Sequence, residues 1–333
     1  MIGSFLRNYL ELPAKNQNIV CLGGGVGTSQ VLKGLRNYQF DLTAIVSMAD
    51  DGGSSGRLRR AFSIPPPGDL VNCLAALSEE ESILKELFIY RFAGKRYGKE
   101  TDLGGQKLGN LIFVALTDIY RGDTNKALVE FSKIISSRGR VLPATLGDVN
   151  IWAKTTTGKK VYGESNIDLG KYNDGQTLSQ VYLDPPNIKA YKPAAEALKK
   201  ADAIIVGPGD LFSTVLPVLI VPQVKNYFNQ SRAIRIFIVN IANKPFETAN
   251  FAVSDYLKTL QNHQITPDFD KILVNTNQKP AIPAKLNYKY VKYDRQNLAE
   301  YASKIIEDDL INTDYPLYHD SDKIAKVITK LLK

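Results

Sequence analysis

The amino-acid sequence predicts an α/β protein with a doubly wound, mostly parallel sheet and a β-hairpin insertion. Short apolar runs of β-favouring residues alternate with stretches in which apolar residues recur at helical spacing. A glycine-rich turn follows the first apolar run and leads into the first helical stretch. The 333 residues contain no long Pro/Ser/Gly linker and no repeat of fixed period, which favours one large α/β unit.

The first predicted element is a βαβ unit. Residues 18–22 form a short apolar run, and Val31, Leu32 and Leu35 follow the glycine turn at helical spacing. Residues 41–46 form a second β-branched run. Because one helix joins the two predicted strands, we expect them to lie parallel with a right-handed connection.

Helices and a hairpin are predicted for the middle of the chain. Apolar residues return at helical spacing over residues 69–120, in segments that begin at or just after Gly, Asp or Ser. β-favouring residues on both sides of Thr156, Thr157 and Gly158 predict a hairpin insertion at about 149–165.

Alternating elements continue to the end of the chain. A helix at 193–201 and apolar runs at 203–206, 234–240 and 271–275 extend the parallel sheet. The amphipathic spacing of the last residues predicts a closing helix at about 320–333. We therefore expect a single domain over residues 18–333, preceded by an N-terminal extension of residues 1–17.

Composition excludes several classes of protein. Apolar residues make up 44% and charged residues 23%, as in ordinary folded chains. No run reaches the roughly 20 apolar residues of a membrane helix, and the N terminus lacks the apolar core of a secretory signal. We therefore expect a cytoplasmic protein without a membrane span. Cys21 and Cys73 are interpreted as buried thiols, because neither has the spacing of a zinc ligand.

The net charge of +8 favours anionic partners such as nucleotides and phosphates. The positive charge is spread along the chain rather than gathered in one arm, so we do not expect nucleic-acid binding. The lysines near the C terminus, Lys323, Lys326, Lys330 and Lys333, are interpreted as the solvated face of the closing helix.

Glycine-rich loops after the first two predicted strands contain the candidate ligand-binding residues. Glycine lets backbone N–H groups approach a phosphate closely, which the first loop, Gly23 to Thr28, would allow. That loop is neither a complete dinucleotide fingerprint nor a P-loop, so an ordinary P-loop NTPase is not expected. A purely structural turn with Thr28 and Ser29 as helix caps is the alternative.

The second loop reads Ala49-Asp50-Asp51-Gly52-Gly53-Ser54-Ser55-Gly56-Arg57. An acid at Asp50 is placed to reach ribose hydroxyls, and Asp50 with Asp51 could instead hold Mg²⁺. Ser54 and Ser55 offer backbone donors, and Arg57 offers a fork for a phosphate. The structural alternative is a capped turn with solvated arginines.

Further loops repeat this polar, glycine-rich character. They contain Asp69, Asn110 and the run from Gly207 to Asp210, and each of them precedes a helix or follows a strand. Several such loops at the carboxyl edge of one sheet would suit a ligand with many polar groups, although each could also be a helix cap alone.

The motifs taken together resemble the YvcK family of gluconeogenesis factors, which is related to the CofD phospholactate transferases. They are IVCLGGGVGTSQVLKGL, IVSMADDGGSSGRLRR, PPPGDLVNCLAAL, GNL, RGRVLPATL, GESNI, IIVGPGDLFSTVLPVLIVP and NIANKPFET. The resemblance implies a modified Rossmann-type three-layer α/β/α fold and a cytosolic protein that binds nucleotide sugars such as UDP-N-acetylglucosamine. It also implies a role in central carbon use, cell-wall synthesis and cell shape, and by analogy a homodimer.

The resemblance carries the ligand-binding residues over by position. They are Gly24, Gly25, Gly27, Thr28, Asp50, Asp51, Gly52, Gly53, Ser54, Ser55, Arg57, Asp69, Asn72, Asn110, Gly207, Pro208 and Gly209, with Asp210 directly after them. This chain departs from the family pattern at Gln106 and Lys107, at Asp210 and at Val218. These departures add one positive and one negative group near the expected pocket and remove an amide.

Two hypotheses for function follow. The first is a nucleotide-sugar-binding regulatory protein, with backbone amides on the diphosphate and Asp50 or Asp51 on ribose or a metal ion. A protein partner would recognise the ligand-bound form of the protein. The second is a CofD-like transferase, in which Asp50 and Asp51 would hold Mg²⁺ against a leaving nucleoside diphosphate.

Overall fold

A computed structural model describes residues 16–79, 83–94, 103–172, 176–265 and 269–332. Nearly all of the predicted N-terminal extension, residues 1–17, lies outside these ranges. Within them no helix combines the length and the apolar character that crossing a membrane requires. Cys21 and Cys73 are both buried free thiols.

The main sheet has seven strands, and every neighbouring pair is parallel. In chain order these strands are β1 (Gln17–Gly23), β2 (Phe40–Val46), β3 (Gly139–Pro143), β7 (Ala203–Val206), β8 (Ile234–Ile238), β10 (Lys271–Asn275) and β12 (Ile305–Asp308). Their order across the sheet is β12-β10-β8-β7-β1-β2-β3. The predicted α/β fold class with a parallel sheet is confirmed.

Strand β1 lies inside the sheet, between β7 and β2, and its side chains are apolar on both faces. Ile19, Cys21 and Leu22 are fully buried. Ile19 pairs with Leu42 of β2 on one side and with Ala203 of β7 on the other. Continuous apolar runs of this kind are typical of parallel strands covered by helices on both faces.

Helices flank the sheet. They are α1 (Gly25–Leu35), α2 (Gly53–Phe62), α3 (Pro67–Leu77), α4 (Ile83–Ile89), α5 (Leu108–Ile119), α6 (Thr124–Ile134), α7 (Glu164–Asp168), α8 (Lys192–Lys199), α9 (Leu216–Leu219), α10 (Pro222–Gln230), α11 (Val253–Asn262) and α12 (Ser321–Leu331). A π-helical turn, Leu211–Val215, precedes α9. The last helix, α12, packs on α1, and a Cβ on Gly34 would lie 2.1 Å from the Ser321 carbonyl oxygen.

The hairpin insertion belongs to a second, antiparallel sheet of three strands in the order β5-β4-β6. These strands are β4 (Asn150–Thr155), β5 (Lys160–Tyr162) and β6 (Leu178–Asp184). Side chains of β4 alternate between buried and accessible, so only one face of this sheet packs against the core. Two short strands, β9 (Ala242–Asn243) and β11 (Lys289–Tyr290), pair separately.

Besides the two-residue strands β9 and β11, three strands outside the predicted hairpin lack the continuous apolar run by which strands are predicted. Strand β3 is short and includes Gly139 and Pro143, and β12 has two exposed acidic residues, Glu307 and Asp308. Both are edge strands of the main sheet, where half of the hydrogen-bonding positions and part of the surface face outwards. Strand β6 alternates polar and apolar residues because it covers the core with one face only.

Candidate ligand cleft

The strand order creates a crevice between β1 and β7. From β1 the chain proceeds to β2 and β3 on one side, and from β7 it proceeds to β8, β10 and β12 on the other. The connections after β1 and β7 therefore leave the sheet in opposite directions, and ligands of open α/β sheets bind at such a switch point. The loops that meet there begin at Gly24 and Gly207.

The two loops touch through their backbones. A Cβ on Gly27 would lie 2.3 Å from the carbonyl oxygen of Pro208, so only glycine permits this approach. Asn240 holds the second loop by accepting a hydrogen bond from Gly209 N–H at 3.1 Å and donating one to the Gly209 carbonyl at 2.9 Å. The glycine positions predicted as a phosphate loop thus also hold the crevice together.

Two adjoining clefts open from these loops. The tyrosine cleft has a volume of about 170 Å³ and is lined by the backbone of Gly24–Gly27, by Pro208 and Gly209, and by Tyr288 and Tyr318. The polar cleft has a volume of about 650 Å³ and contains Asp50, Asp69, Asn72, Arg91, Lys107, Glu164 and Asp168 among its lining residues. Gly25, Val26, Asp210 and Thr214 line both clefts, so they form one continuous depression.

Gly25 lies at the junction of the two clefts, and the space beside its Cα is open. Its φ is +61°, and apart from the adjoining backbone no heavy atom of the described residues lies within 4 Å of the position that a Cβ would take. Gly24 differs, because a Cβ there would lie 2.1 Å from Oδ2 of Asp69. Thr28 is buried and lines neither cleft, and its Oγ1 accepts a hydrogen bond from Gly24 N–H at 2.9 Å.

The adjacent carboxylates of the second loop have separate environments. Asp50 lines the polar cleft, and its Oδ1 accepts a hydrogen bond from Gly52 N–H at 2.9 Å. Asp51 lines neither cleft, and its Oδ1 accepts a hydrogen bond from Ser165 N–H at 2.8 Å. Asp51 therefore caps helix α7, which brings the α7 side chains Glu164 and Asp168 to the cleft.

The remainder of the second loop lies behind the cleft. Ser54, Ser55 and Arg57 are buried in the first turns of α2, and none of them lines either cleft. Arg57 Nη2 donates to the Gly104 carbonyl at 2.8 Å. Arg91 connects these buried residues to the polar cleft, because it lines the cleft and its Nη1 donates a hydrogen bond to Ser54 Oγ at 3.1 Å.

The predicted site residues are therefore divided by the structure. Those that line one of the two clefts are Gly24, Gly25, Gly27, Asp50, Gly52, Asp69, Asn72, Pro208, Gly209 and Asp210. Those that lie around or behind the clefts are Thr28, Asp51, Gly53, Ser54, Ser55, Arg57, Asn110 and Gly207. Asn110 is buried, and its Oδ1 has no hydrogen-bond partner among the described residues.

The departures from the family pattern have different locations. Lys107 lines the polar cleft and its Nζ donates a hydrogen bond to Asn72 Oδ1. Asp210 lines both clefts. Gln106 is buried close to Arg57, and Val218 is fully buried in the apolar core. Only Lys107 and Asp210 therefore change the surface that a ligand would meet.

Sequence reasoning missed a cluster centred on Lys244. Its Nζ contacts Asp168, lies 2.6 Å from Asp210 Oδ2 and lies 3.4 Å from Glu247 Oε1. Burial alone would lower the pKa of Lys244, but the three carboxylates outweigh it and raise that pKa. Lys244 and Glu247 both lie in the motif NIANKPFET, and this motif is the sequence feature that could have indicated the cluster.

Burial and neighbouring charges perturb two acids of this region. Glu247 is fully buried, which raises its pKa to about 7, and it accepts hydrogen bonds from Phe212 N–H, Ser213 N–H and Ser213 Oγ. Burial also raises the pKa of Glu164 well above its usual value, and Asp50 adds to this effect. A carboxyl in such surroundings favours either a proton or a nearby cation.

This combination of fold and cleft defines a Rossmann-type α/β protein with a candidate ligand site at the β1/β7 switch point. The sequence profile of the family described as 2-phospho-L-lactate transferase CofD matches residues 19–311. The chain is also 39% identical over 323 residues to the gluconeogenesis factor of Bacillus subtilis, covering 95% of this chain and 98% of that protein.

Two further relatives agree with this match. The gluconeogenesis factor of Halalkalibacterium halodurans is 37% identical, covering 94% of this chain and 96% of the relative. A crystal structure of a member of the UPF0052 family from Bacillus halodurans superposes with a TM-score of 0.84 at 36% identity, covering 95% of this chain and 99% of that one. The chain belongs to the gluconeogenesis factor (YvcK) family, which is related to CofD.

Proposed function

We propose that this protein binds a nucleotide sugar of the UDP-N-acetylglucosamine kind and acts as a regulatory protein in the cytosol. The observation that carries the proposal is the position of the Gly25 backbone at the junction of two unlike clefts. A nucleotide sugar has a nucleoside, a diphosphate and a sugar in line, and these parts correspond to the tyrosine cleft, the glycine junction and the polar cleft.

The charges and donors support this orientation. The N terminus of α1 begins at Gly25, and its N–H groups together with the helix dipole favour a diphosphate. Tyr288 and Tyr318 offer ring surface and hydroxyls to a nucleoside. Asp50 and Asn72 of the polar cleft offer acceptors and donors to sugar hydroxyls, and Lys107 and Arg91 offset the negative charge of the ligand.

The physiological role proposed for this binding comes from the family. Its curated members carry the name gluconeogenesis factor, which supports a role in the regulation of central carbon metabolism. We extend the proposal to cell-wall synthesis and cell shape, because UDP-N-acetylglucosamine is a wall precursor and its concentration would report the supply of carbon to the wall.

Isothermal titration calorimetry with UDP-N-acetylglucosamine, GDP plus Mg²⁺ and NAD tests the proposal. We expect saturable binding of the UDP-sugar, weakened by about tenfold or more in Asp50→Ala. Asp118→Ala removes an exposed carboxylate from α5, outside both clefts, and serves as the control that retains affinity. Absence of UDP-sugar binding to the folded wild-type protein would contradict the proposal.

A CofD-like transferase is the second candidate, and the acidic wall of the polar cleft favours it. Asp50, Glu164 and Asp168 all line that cleft, and burial, together with the negative charges of Asp50 and Asp168, raises the pKa of Glu164. Bound Mg²⁺ would offset this negative charge. Asp51 fits a metal less well, because one of its oxygens caps α7. Bound Mg²⁺ would neutralise charge on the nucleoside phosphate that leaves when the phospholactyl group is transferred.

The same titrations separate the two candidates. Binding of GDP that requires Mg²⁺ and fails in Asp50→Ala, without binding of the UDP-sugar, would favour the transferase. Incubation with Mg²⁺, a phospholactyl nucleoside diphosphate donor and a deazaflavin acceptor should then give a phospholactyl product detectable by mass spectrometry.

A further inference from the structure

The outer face of the three-stranded sheet carries a row of aromatic side chains. Trp152 of β4 is directly opposite Tyr162 of β5 and Tyr182 of β6 in the strand register. The next row consists of Lys154 opposite Lys160. We call Trp152, Tyr162, Tyr182, Lys154 and Lys160 the aromatic face.

This face does not take part in the core. Its neighbours along the strands, Ile151, Ala153, Val161 and Val181, are buried on the opposite side of the sheet. Tyr162 is 59% exposed, whereas Trp152 and Tyr182 are partly exposed. Single exposed apolar residues are ordinary, but a contiguous aromatic row flanked by charge is typical of an interaction site.

The ring geometry restricts which partner can bind. The Trp152 ring stacks on Tyr182 with centroids 4.2 Å apart and planes 14° from parallel. From the strand on the other side, Lys160 Nζ lies 4.8 Å from the Trp152 centroid. Both faces of the indole are therefore covered. Single-stranded nucleic acids bind through bases stacked on free ring faces, so this arrangement favours the side chains of a polypeptide instead.

The charge of the aromatic face indicates an acidic partner. Lys154 and Lys160 are paired across neighbouring strands, and like charges in such a position destabilise a sheet. On its other side Lys154 is opposite the neutral Gln180. Within the described ranges neither lysine makes an ion pair with a carboxylate. Acidic side chains of a partner would remove this repulsion.

We propose that the aromatic face is a docking surface for an acidic, extended segment of a partner protein. The face is also connected to the ligand cleft, because β5 ends at Tyr162 and α7 begins two residues later with Glu164. The docking surface itself does not depend on the nucleotide-sugar proposal, since none of its residues lines either cleft.

Trp152 is the single tryptophan of the chain, so intrinsic fluorescence reports on this face directly. A synthetic peptide that repeats Glu-Glu-Leu, titrated into the full-length protein, should change the Trp152 emission saturably. The charge-reversed double variant Lys154→Glu/Lys160→Glu should weaken this binding by about tenfold or more. The matched control Lys326→Glu/Lys330→Glu reverses two exposed lysines of α12 and should change affinity by less than about twofold.

Two further measurements, the dependence of peptide binding on ionic strength and the binding of a single-stranded oligonucleotide, complete the test. Binding should weaken as ionic strength rises, because exposed charges are screened within about 10 Å at 0.1 M salt. The proposal is overturned if the peptide causes no saturable change in emission, if both double variants lose affinity equally, or if a single-stranded oligonucleotide binds more tightly than the peptide and loses affinity in Lys154→Glu/Lys160→Glu. Circular dichroism of each variant confirms that the compared proteins are folded.

Discussion

Lys244 Nζ lies 2.6 Å from Oδ2 of Asp210, which joins the segment after β8 to the loop after β7. The same ammonium contacts Asp168 of α7 and lies 3.4 Å from the fully buried Glu247. The three carboxylates have oxygens within 4.8 Å of one another, a spacing that would suit a metal ion. Lys244 thus supplies the positive charge that holds helix α7, the loop after β7 and the segment after β8 together at the rim of the cleft.

Replacing Lys244 by methionine should destabilise the protein strongly. The change leaves three carboxylates close together without a cation, and breaking a buried ion pair costs about 3–5 kcal/mol. Urea unfolding measures the loss. Lys133→Met removes an exposed pair with Glu130 and should leave the midpoint almost unchanged. Equal midpoints for the two variants would show that the cluster does not stabilise the fold.

Gly27→Ala should mainly reduce the stability of the fold, whereas Gly25→Ala should mainly reduce ligand binding. A Cβ at Gly27 would lie 2.3 Å from the Pro208 carbonyl oxygen, so this variant should lose about 3 kcal/mol of stability through overpacking. Gly25 has open space but a φ of +61°, so alanine there costs only about 1 kcal/mol of strain while placing a methyl group at the cleft junction.

Thermal unfolding and UDP-N-acetylglucosamine titration of both glycine variants check this expectation. Gly25→Ala should remain folded and lose affinity by about tenfold or more. Full affinity in a folded Gly25→Ala protein would place the diphosphate away from the glycine junction.

Asp50→Ala and Asp51→Ala should separate binding from stability. Asp51 caps α7 through Ser165 N–H, so its loss should cost about 1 kcal/mol of unfolding free energy. Asp50 lines the polar cleft, so its loss should weaken ligand binding more than it weakens the fold. Calorimetric titration and urea unfolding of the two variants provide the comparison. The interpretation is wrong if Asp51→Ala binds the ligand more weakly than Asp50→Ala does while its free energy of unfolding is unchanged.

His319 should make stability depend on pH. Complete burial lowers its pKa from 6.5 to about 4, and its Nε2 is 3.0 Å from the Val239 carbonyl oxygen. Between these two pH values the unfolded chain binds more protons than the folded one. The stabilisation from neutral His319 is therefore complete above pH 6.5 and is lost as pH falls towards 4, by ~3 kcal/mol in total.

Urea unfolding between pH 7 and 4 measures this loss. His319→Gln retains a side-chain N–H donor but does not titrate, so its stability should fall less steeply over the same range. An unchanged pH dependence in His319→Gln would assign the acid sensitivity to other groups.

The sequence by itself determined the local elements and the loops that carry polar chemistry. The apolar runs predicted β1, β2, β7, β8 and β10, because central parallel strands are buried on both faces and need continuous apolar side chains. Glycine predicted the loops at Gly24 and Gly207 in the same way, because its conformational range is a local property of the residue.

Only the tertiary structure decided which of these loops meet and which side chains face the ligand cleft. Sequence periodicity does not specify strand order, so the pairing of β7 with β1, which brings Pro208 against Gly27, could not be predicted from the runs alone. Asp50 and Asp51 are adjacent in sequence, yet one lines the cleft and the other caps α7. Lys244 acquires its role through carboxylates that are distant along the chain, because electrostatic interactions depend on separation in space.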